Sequence, residues 1–238
     1  MNIVKKVAKH LRIKTRNFLN YEIFEKRAIP PVKGEKISKS LAIRHLPPNP
    51  VIVDCGAYDG GDSLTLAKLS GGTVHAFEAD PEIFALLKHN TRRFPSVRCH
   101  HVALSDRDGV GTFHRGMGDL NASGSLLQPN EQLRGSGCFD ALATVQLRTL
   151  ETWMRESKVE RIDMLWLDMQ GAELSMLLAF ESMLSQVRVI HTEVSVGGDY
   201  VGACTYSELR RFLERHGLRV VVEAIPNRWS TGNVLFVR

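Results

Sequence analysis

Residues 51–61 read Val51-Ile52-Val53-Asp54-Cys55-Gly56-Ala57-Tyr58-Asp59-Gly60-Gly61, an apolar, β-branched run that stops at a glycine-rich turn. A short run of this kind between turn signals is the pattern of a buried strand, and a helical pattern follows it from Asp62 to Leu69. Outward from this stretch the alternation continues. A strand is expected over 73–77, a helix over 81–92 that opens with Pro81 at a favoured first helical position, and a strand over 97–102. A βαβαβ series predicts a parallel sheet with right-handed crossovers and helices on both faces.

The middle of the chain breaks the alternation. Asp106-Arg107-Asp108-Gly109 reads as a turn leading into an antiparallel strand that ends near Arg115, and residues 121–138, rich in Gly, Ser, Asn and Gln, read as a long loop. Loops of that length in a compact domain usually carry function, so a substrate lid is placed there. Helix 150–157, strand 164–167, helix 173–184, strand 187–192, helix 206–216, strand 218–224 and strand 233–237 complete the pattern. The expectation is a doubly wound α/β fold, Rossmann-like, with seven sheet strands and the last one antiparallel.

Composition bounds the function. The 238 residues are 43% hydrophobic and 24% charged, ordinary for a globular domain. No apolar stretch reaches the roughly 18 residues of a membrane span, and Met1–Lys9 lacks the apolar block of a secretory signal. Cys55, Cys99, Cys138 and Cys204 form no CxxC pair, which points away from zinc and disulfide frameworks and toward reduced thiols in a cytoplasmic protein. Charge is divided unevenly: residues 1–50 hold twelve Lys/Arg against three Glu, and the remainder nineteen against twenty-three Asp/Glu. This marks a basic leader over 1–45, ending near Pro47-Pro48-Asn49-Pro50, ahead of a mildly acidic domain over 46–238. Ile3, Val4, Val7, Ala8, Leu11, Phe18 and Leu19 form an apolar helical stripe. The stripe needs a cover: the body of the chain or a partner subunit first, an anionic membrane surface second.

In a doubly wound sheet, ligands gather beyond the carboxyl ends of the strands where strand order reverses. The turn Asp54, Gly56, Ala57, Tyr58, Asp59 and Gly60 is the expected binding loop. Its Gly-x-x-x-Gly-Gly spacing is not the Gly-x-Gly-x-x-Gly of dinucleotide sites. Asp54 and Asp59 would repel a pyrophosphate but suit a cationic cofactor such as S-adenosylmethionine, because unit charges about 4 Å apart interact by roughly 4 kcal/mol at an effective dielectric near 20. Capping of the next helix is the competing role for both. Glu78-Ala79 closes the second strand, twenty-two residues past Gly56, where an acid hydrogen-bonds ribose hydroxyls. Ser105 and Asp106, after the third strand, are placed at the adenine edge, with a plain turn as the alternative.

The segments VIVDCGAYDGGDS, HAFEADP, VALSDRDG, LDMQGAE and NVLFVR together resemble the FkbM family of S-adenosylmethionine-dependent methyltransferases over about residues 45–238. The resemblance implies a class I methyltransferase fold and O-methylation of a sugar, glycan or polyketide-like acceptor. It matches Asp54, Gly56 and Gly60 to the cofactor turn and Glu78 to the ribose carboxylate. Gln170 departs from the pattern, standing where many members carry Glu. Methyl transfer to a hydroxyl also needs a base. Asp168 is ranked first, then Glu193, then His191, all at the ends of the fourth and fifth strands. A divalent metal held by Asp168, Glu173 and Glu193 is a second mechanism, and no metal site is expected. The rival functions are an RNA methyltransferase held by the basic leader and a non-catalytic nucleoside-binding module. The stretch Asp168-Met169-Gln170-Gly171 lacks the Pro-Pro-aromatic grip for a base amino group, so nucleic acid is not the expected partner.

Overall fold

The computed structural model describes residues 37–139, 141–195, 199–225 and 231–238. The apolar stripe of the leader lies outside the described residues. The chain enters through a short helix α1 (Lys39–Ile43) and then β1 (Val51–Cys55), α2 (Gly61–Ser70), β2 (Thr73–Phe77), α3 (Pro81–Thr91) and β3 (Val97–His100). After them come β4 (Ala103–Leu104), β5 (Gly109–Arg115), α4 (Glu131–Gly135), β6 (Ala141–Arg148), α5 (Leu150–Ser157) and β7 (Met164–Leu167). The last third comprises α6 (Glu173–Leu178), a 3-10 turn (Glu181–Gln186), β8 (Val189–Ser195), α7 (Tyr206–Arg215), β9 (Arg219–Ala224) and β10 (Thr231–Val237).

Seven strands form one sheet in the order β3-β2-β1-β7-β8-β10-β9. β1 pairs in parallel with both β2 and β7, whereas β10 runs antiparallel to both of its neighbours. Both faces are covered, as a mostly parallel sheet requires. Strand alternation divides the core. Val53, Leu165 and Leu167 pack with Trp153 of α5, Met176 of α6 and Phe212 of α7. Ile52, Met164 and Trp166 pack on the other face with Ala42 of α1, Leu66 of α2 and Leu87 of α3.

The order of strands reverses between β1 and β7. From β1 the chain steps outward to β3, and from β7 it steps outward the opposite way, so the loops after these two strands diverge and leave a crevice above them. A second sheet, β4-β6-β5, stands beside that crevice with Ala103, Phe113, Val145 and Leu147 as its core.

Several boundaries differ from the sequence reading, among them the strand expected over 187–192, which runs Val189–Ser195, and the strand expected over 233–237, which begins at Thr231. The strand expected over 97–102 ends at His100, and Ala103–Leu104 joins the small sheet instead. The helix expected over 173–184 stops at Leu178, and the fully buried Phe180 leads into the 3-10 turn. The long loop holds α4, whose Asn130 side chain accepts from the Leu133 amide at 2.9 Å.

Candidate functional site

The end of β1 is tied to the end of β2 by backbone: the amides of Gly56 and Ala57 both donate to the Phe77 carbonyl, at 3.1 and 2.9 Å. Gly56 has φ +81°, and a Cβ there would stand 1.9 Å from the Asp168 carbonyl oxygen at the tip of β7. Only glycine allows the turn to lie this close to β7. The carboxylate of Glu78 then fastens the loop, its Oε2 accepting from the Tyr58 amide at 3.0 Å and its Oε1 from the Asp80 amide at 2.8 Å. Burial raises the Glu78 carboxyl to about 7 against the opposing pull of these amides. A carboxylate has roughly four acceptor directions, so Glu78 keeps capacity for a hydroxyl donor.

Above this turn lies a concave cleft, the kind of place where small-molecule sites form. Val102, Ala103, Leu104 and Phe113 make an apolar wall, Glu78 and Asp80 an acidic edge, and Asp168 and Met169 the far end. Asn121, Ala122, Gly124 and Leu126 cover it from the segment read as a lid, and Tyr58 Oη donates to Asn121 Oδ1 at 3.0 Å across the mouth. Among the described residues that line it there is no Lys, Arg or His. Asp80 is partly spoken for: it caps α3 through the amides of Glu82 and Ile83 and is bound by Arg115 at 2.6 Å.

Several expected ligands point elsewhere. Asp54 lies on the opposite face of β1 from the cleft, fully buried, accepting from the Ser63 hydroxyl; burial lifts it to about 7. It therefore does not meet a cation in the cleft. Asp59 accepts from the Gly61 amide at 2.9 Å, the capping role. Gly60 faces Leu87 and Thr91 of α3, and Ala57 is part of the core. Ser105 and Asp106 lie outside the cleft lining; the Ser105 hydroxyl turns to Asp106, which pairs with Arg107 at the surface. Gly56, Tyr58, Glu78, Ala79 and Asp168 do line the cleft.

At the ends of β7 and β8 the structure gathers a second group. The Nε2 of Gln170 donates to Asp168 Oδ1 at 2.6 Å and to Glu193 Oε2 at 2.7 Å. Burial, then Asp168 and Glu173, push the Glu193 carboxyl up to about 8. Glu173 is turned to the backbone, accepting from the amides of Met169 at 2.9 Å and Gly171 at 3.3 Å. Tyr200 Oη donates to the Ser123 carbonyl and lies 3.3 Å from Gln170 Oε1. A second, smaller cavity opens on the far side of Gln170, between Glu193, Asp199, Tyr200 and Tyr206. His191 is not brought to this group: it stacks on Trp166 with centroids 3.5 Å apart, and burial holds it neutral, its pKa lowered to about 3. Among the described residues no group of three or more His, Cys, Asp or Glu is disposed to hold a metal ion.

Residues 54–220 match the model of the methyltransferase FkbM domain. The chain belongs to that family. It is a methyltransferase, and the crevice between β1 and β7 is where its fold places a ligand. The FkbM chain is 30% identical to the 2-O-methyltransferase NoeI of Sinorhizobium fredii over 205 residues, which is 83% of this chain and 79% of that protein. It is 28% identical to the AMB antimetabolite synthetase AmbE of Pseudomonas aeruginosa, spanning 74% of this chain but a tenth of that much longer protein. The METTL16 MTase domain shares the fold with a TM-score of 0.52 at 14% identity, over 92% of this chain and 76% of that one.

Sequence reasoning overlooked Tyr200, which carries no local signal, since it reaches the site from a loop whose path depends on β8; Asn121 falls within the segment read as a lid. The bridging role of Gln170 was also unreadable. It requires β7 and β8 to be adjacent and Gln170 itself to adopt φ +52°.

Proposed function

We propose that this chain transfers a methyl group from S-adenosylmethionine to a hydroxyl of a sugar, glycan or polyketide-like acceptor, with Asp168 and Glu193 receiving the hydroxyl proton. The observation that carries the reading is the carboxylate pair at the tips of β7 and β8, set at the end of a cleft in whose lining the described residues include no cationic side chain. A pyrophosphate-bearing nucleotide finds no counter-charge there. A sulfonium nucleoside finds Asp168 at one end, Glu78 for its ribose and the wall of Val102, Ala103 and Leu104 for its base. When bound, the cofactor supplies an electrophilic methyl on a positively charged sulfur.

The chain's own contribution is alignment and proton removal. The Gly56 turn and Glu78 fix the donor, and the small cavity beside Glu193 marks the side of Gln170 from which an acceptor would approach. With the donor bound, the Asp168–Glu193 pair would take up the hydroxyl proton, a contribution worth roughly 10² to 10⁴ in rate. NoeI is a 2-O-methyltransferase, which supports an oxygen nucleophile.

The test is incubation of the purified chain with isotope-labelled S-adenosylmethionine and pools of glycans and hydroxylated small molecules, alongside Asp168→Asn. Label should enter hydroxyl-bearing acceptors with the wild type and fall at least tenfold with the variant. Label found only in RNA, or none in any acceptor, would overturn the reading.

A further inference from the structure

Gln170 occupies an unusual place for a non-glycine residue. Its backbone is left-handed, φ +52°, with Gly171 beside it at +97°, and such a conformation persists only where its surroundings enforce it. Here the surroundings are four contacts. Its Nε2 carries two hydrogens and faces two carboxylates, Asp168 at 2.6 Å and Glu193 at 2.7 Å. Its Oε1 lies 3.3 Å from Tyr200 Oη, and its carbonyl accepts from the Ser125 hydroxyl at 2.9 Å. An amide nitrogen has two donors and no acceptor role, so both of its hydrogens are used on the acidic pair. Asp168 belongs to the wall of the larger cleft, and Gln170 and Glu193 to the wall of the smaller one.

Two carboxylates brought this near each other repel unless they share a proton or something with positive character stands between them. A divalent cation is one answer and the edge of an amide is another. We propose that Gln170 is a positioning residue whose side-chain amide braces Asp168 against Glu193, filling the point between the two carboxylates that a bridging cation would otherwise take. Asp168 is thereby held toward the donor cleft and Glu193 toward the acceptor cavity. No other standard side chain of this length does both: glutamate has the shape but presents oxygens to oxygens, and asparagine is one methylene too short to span the pair.

This rests on the reading of Asp168 and Glu193 as the proton-accepting pair, so the experiment separates the two. Full-length wild type, Q170E, Q170N, Q170A and D168N are compared for S-adenosylmethionine affinity by calorimetry, for kcat and KM with a working acceptor, and for Mn2+ binding by electron paramagnetic resonance. Unfolding midpoints confirm which variants are folded. D168N should lose turnover at least tenfold. Q170E, Q170N and Q170A should keep donor affinity within about twofold and lose kcat at least tenfold, a split that general loosening of the fold would not give. Q170E, with three carboxylates converging, should bind Mn2+ at least tenfold more tightly than the wild type. Should D168N retain wild-type turnover, the proton-accepting reading falls and the brace with it. Should D168N lose turnover while the folded Gln170 variants keep it, the brace alone is overturned. Wild type binding Mn2+ as tightly as a folded Q170E overturns it too, and where Q170E does not fold, tight Mn2+ binding by the wild type overturns it by itself.

Discussion

Gly56 and Asp168 meet backbone to backbone: the carbonyl oxygen of Asp168 fills the space a side chain on Gly56 would occupy, 1.9 Å from where its Cβ would be. The binding turn and the residue ranked first as base are therefore set by one contact. Gly56→Ala has to place an L-residue at φ +81°, which costs about 1–2 kcal/mol before any clash, and the clash pushes the β7 tip away. The expected result is a lowered denaturant midpoint together with weakened donor binding. A midpoint and affinity equal to wild type would mean that the β7 tip moves aside freely.

On the proposed reading Glu78 holds the donor through a charge-assisted contact, worth about 1.5–3 kcal/mol. Glu78→Gln should weaken S-adenosylmethionine at least tenfold in calorimetry. Glu78→Ala should weaken it further, because the Tyr58 and Asp80 amides then lose their acceptor. The affinity should also fall as pH is lowered from 8 to 6, because Glu78 takes up a proton near 7 and a protonated carboxyl accepts fewer donors. The Gln variant should show a flatter profile over the same range.

The parts of this site that were legible in the sequence are those fixed by one strand and its own loop. β1 and β2 are short apolar runs, and the glycine and acid at their ends fall where alternation and the strand-end rule put them. Asp54 shows the limit of that reasoning. A carboxylate one residue before the turn looked like part of the loop, yet the period of two turns it with Ile52 to the α2 face, where Ser63 receives it. The strand β6 also carried a signal, with Ala143, Val145 and Leu147 alternating inward, but Thr144 and Gln146 between them and the polar segment before them masked it. His191 was placed by strand position alone. Nothing in the sequence showed that Trp166, on the neighbouring strand, would cover its ring.

Arg115, at the end of β5, binds the buried Asp80 that caps α3 and also reaches Glu82 at 3.0 Å. It is the ionic tie between the small sheet and the acidic edge of the cleft. Removing one partner of a buried pair leaves the other charge without compensation and costs about 3–5 kcal/mol. With Arg115 partly exposed, the lower end of that range is expected. Arg115→Ala should lower the unfolding midpoint accordingly, and the paired change Arg115→Met with Asp80→Asn should recover part of the loss, since asparagine still caps the helix. A single variant as stable as wild type would show the tie to be energetically idle.

The pH dependence of stability has a worked sign. Asp54, Glu78 and Glu173 are raised to about 7 and Glu193 to about 8, so the folded chain holds protons that the unfolded chain releases near 4 to 4.5, and these groups make stability fall as pH rises. His75 and His100 are lowered to about 4 and His191 to about 3, which acts the other way. The unfolded chain binds protons on these histidines up to about 6.5, and stability on their account rises with pH until then. The two sets oppose each other between about 4.5 and 6.5. Above 6.5 the histidines are neutral in both states and only the carboxyls remain. The ligand-free protein should therefore show a broad, nearly level Tm between pH 5 and 6.5 and a clear decline from 6.5 to 8.5. Glu193→Gln keeps a proton-bearing group at every pH, so its Tm should decline less above pH 7.5 than that of the wild type. A Tm that rises from 6.5 to 8.5 would show that the buried carboxyls are not holding their protons.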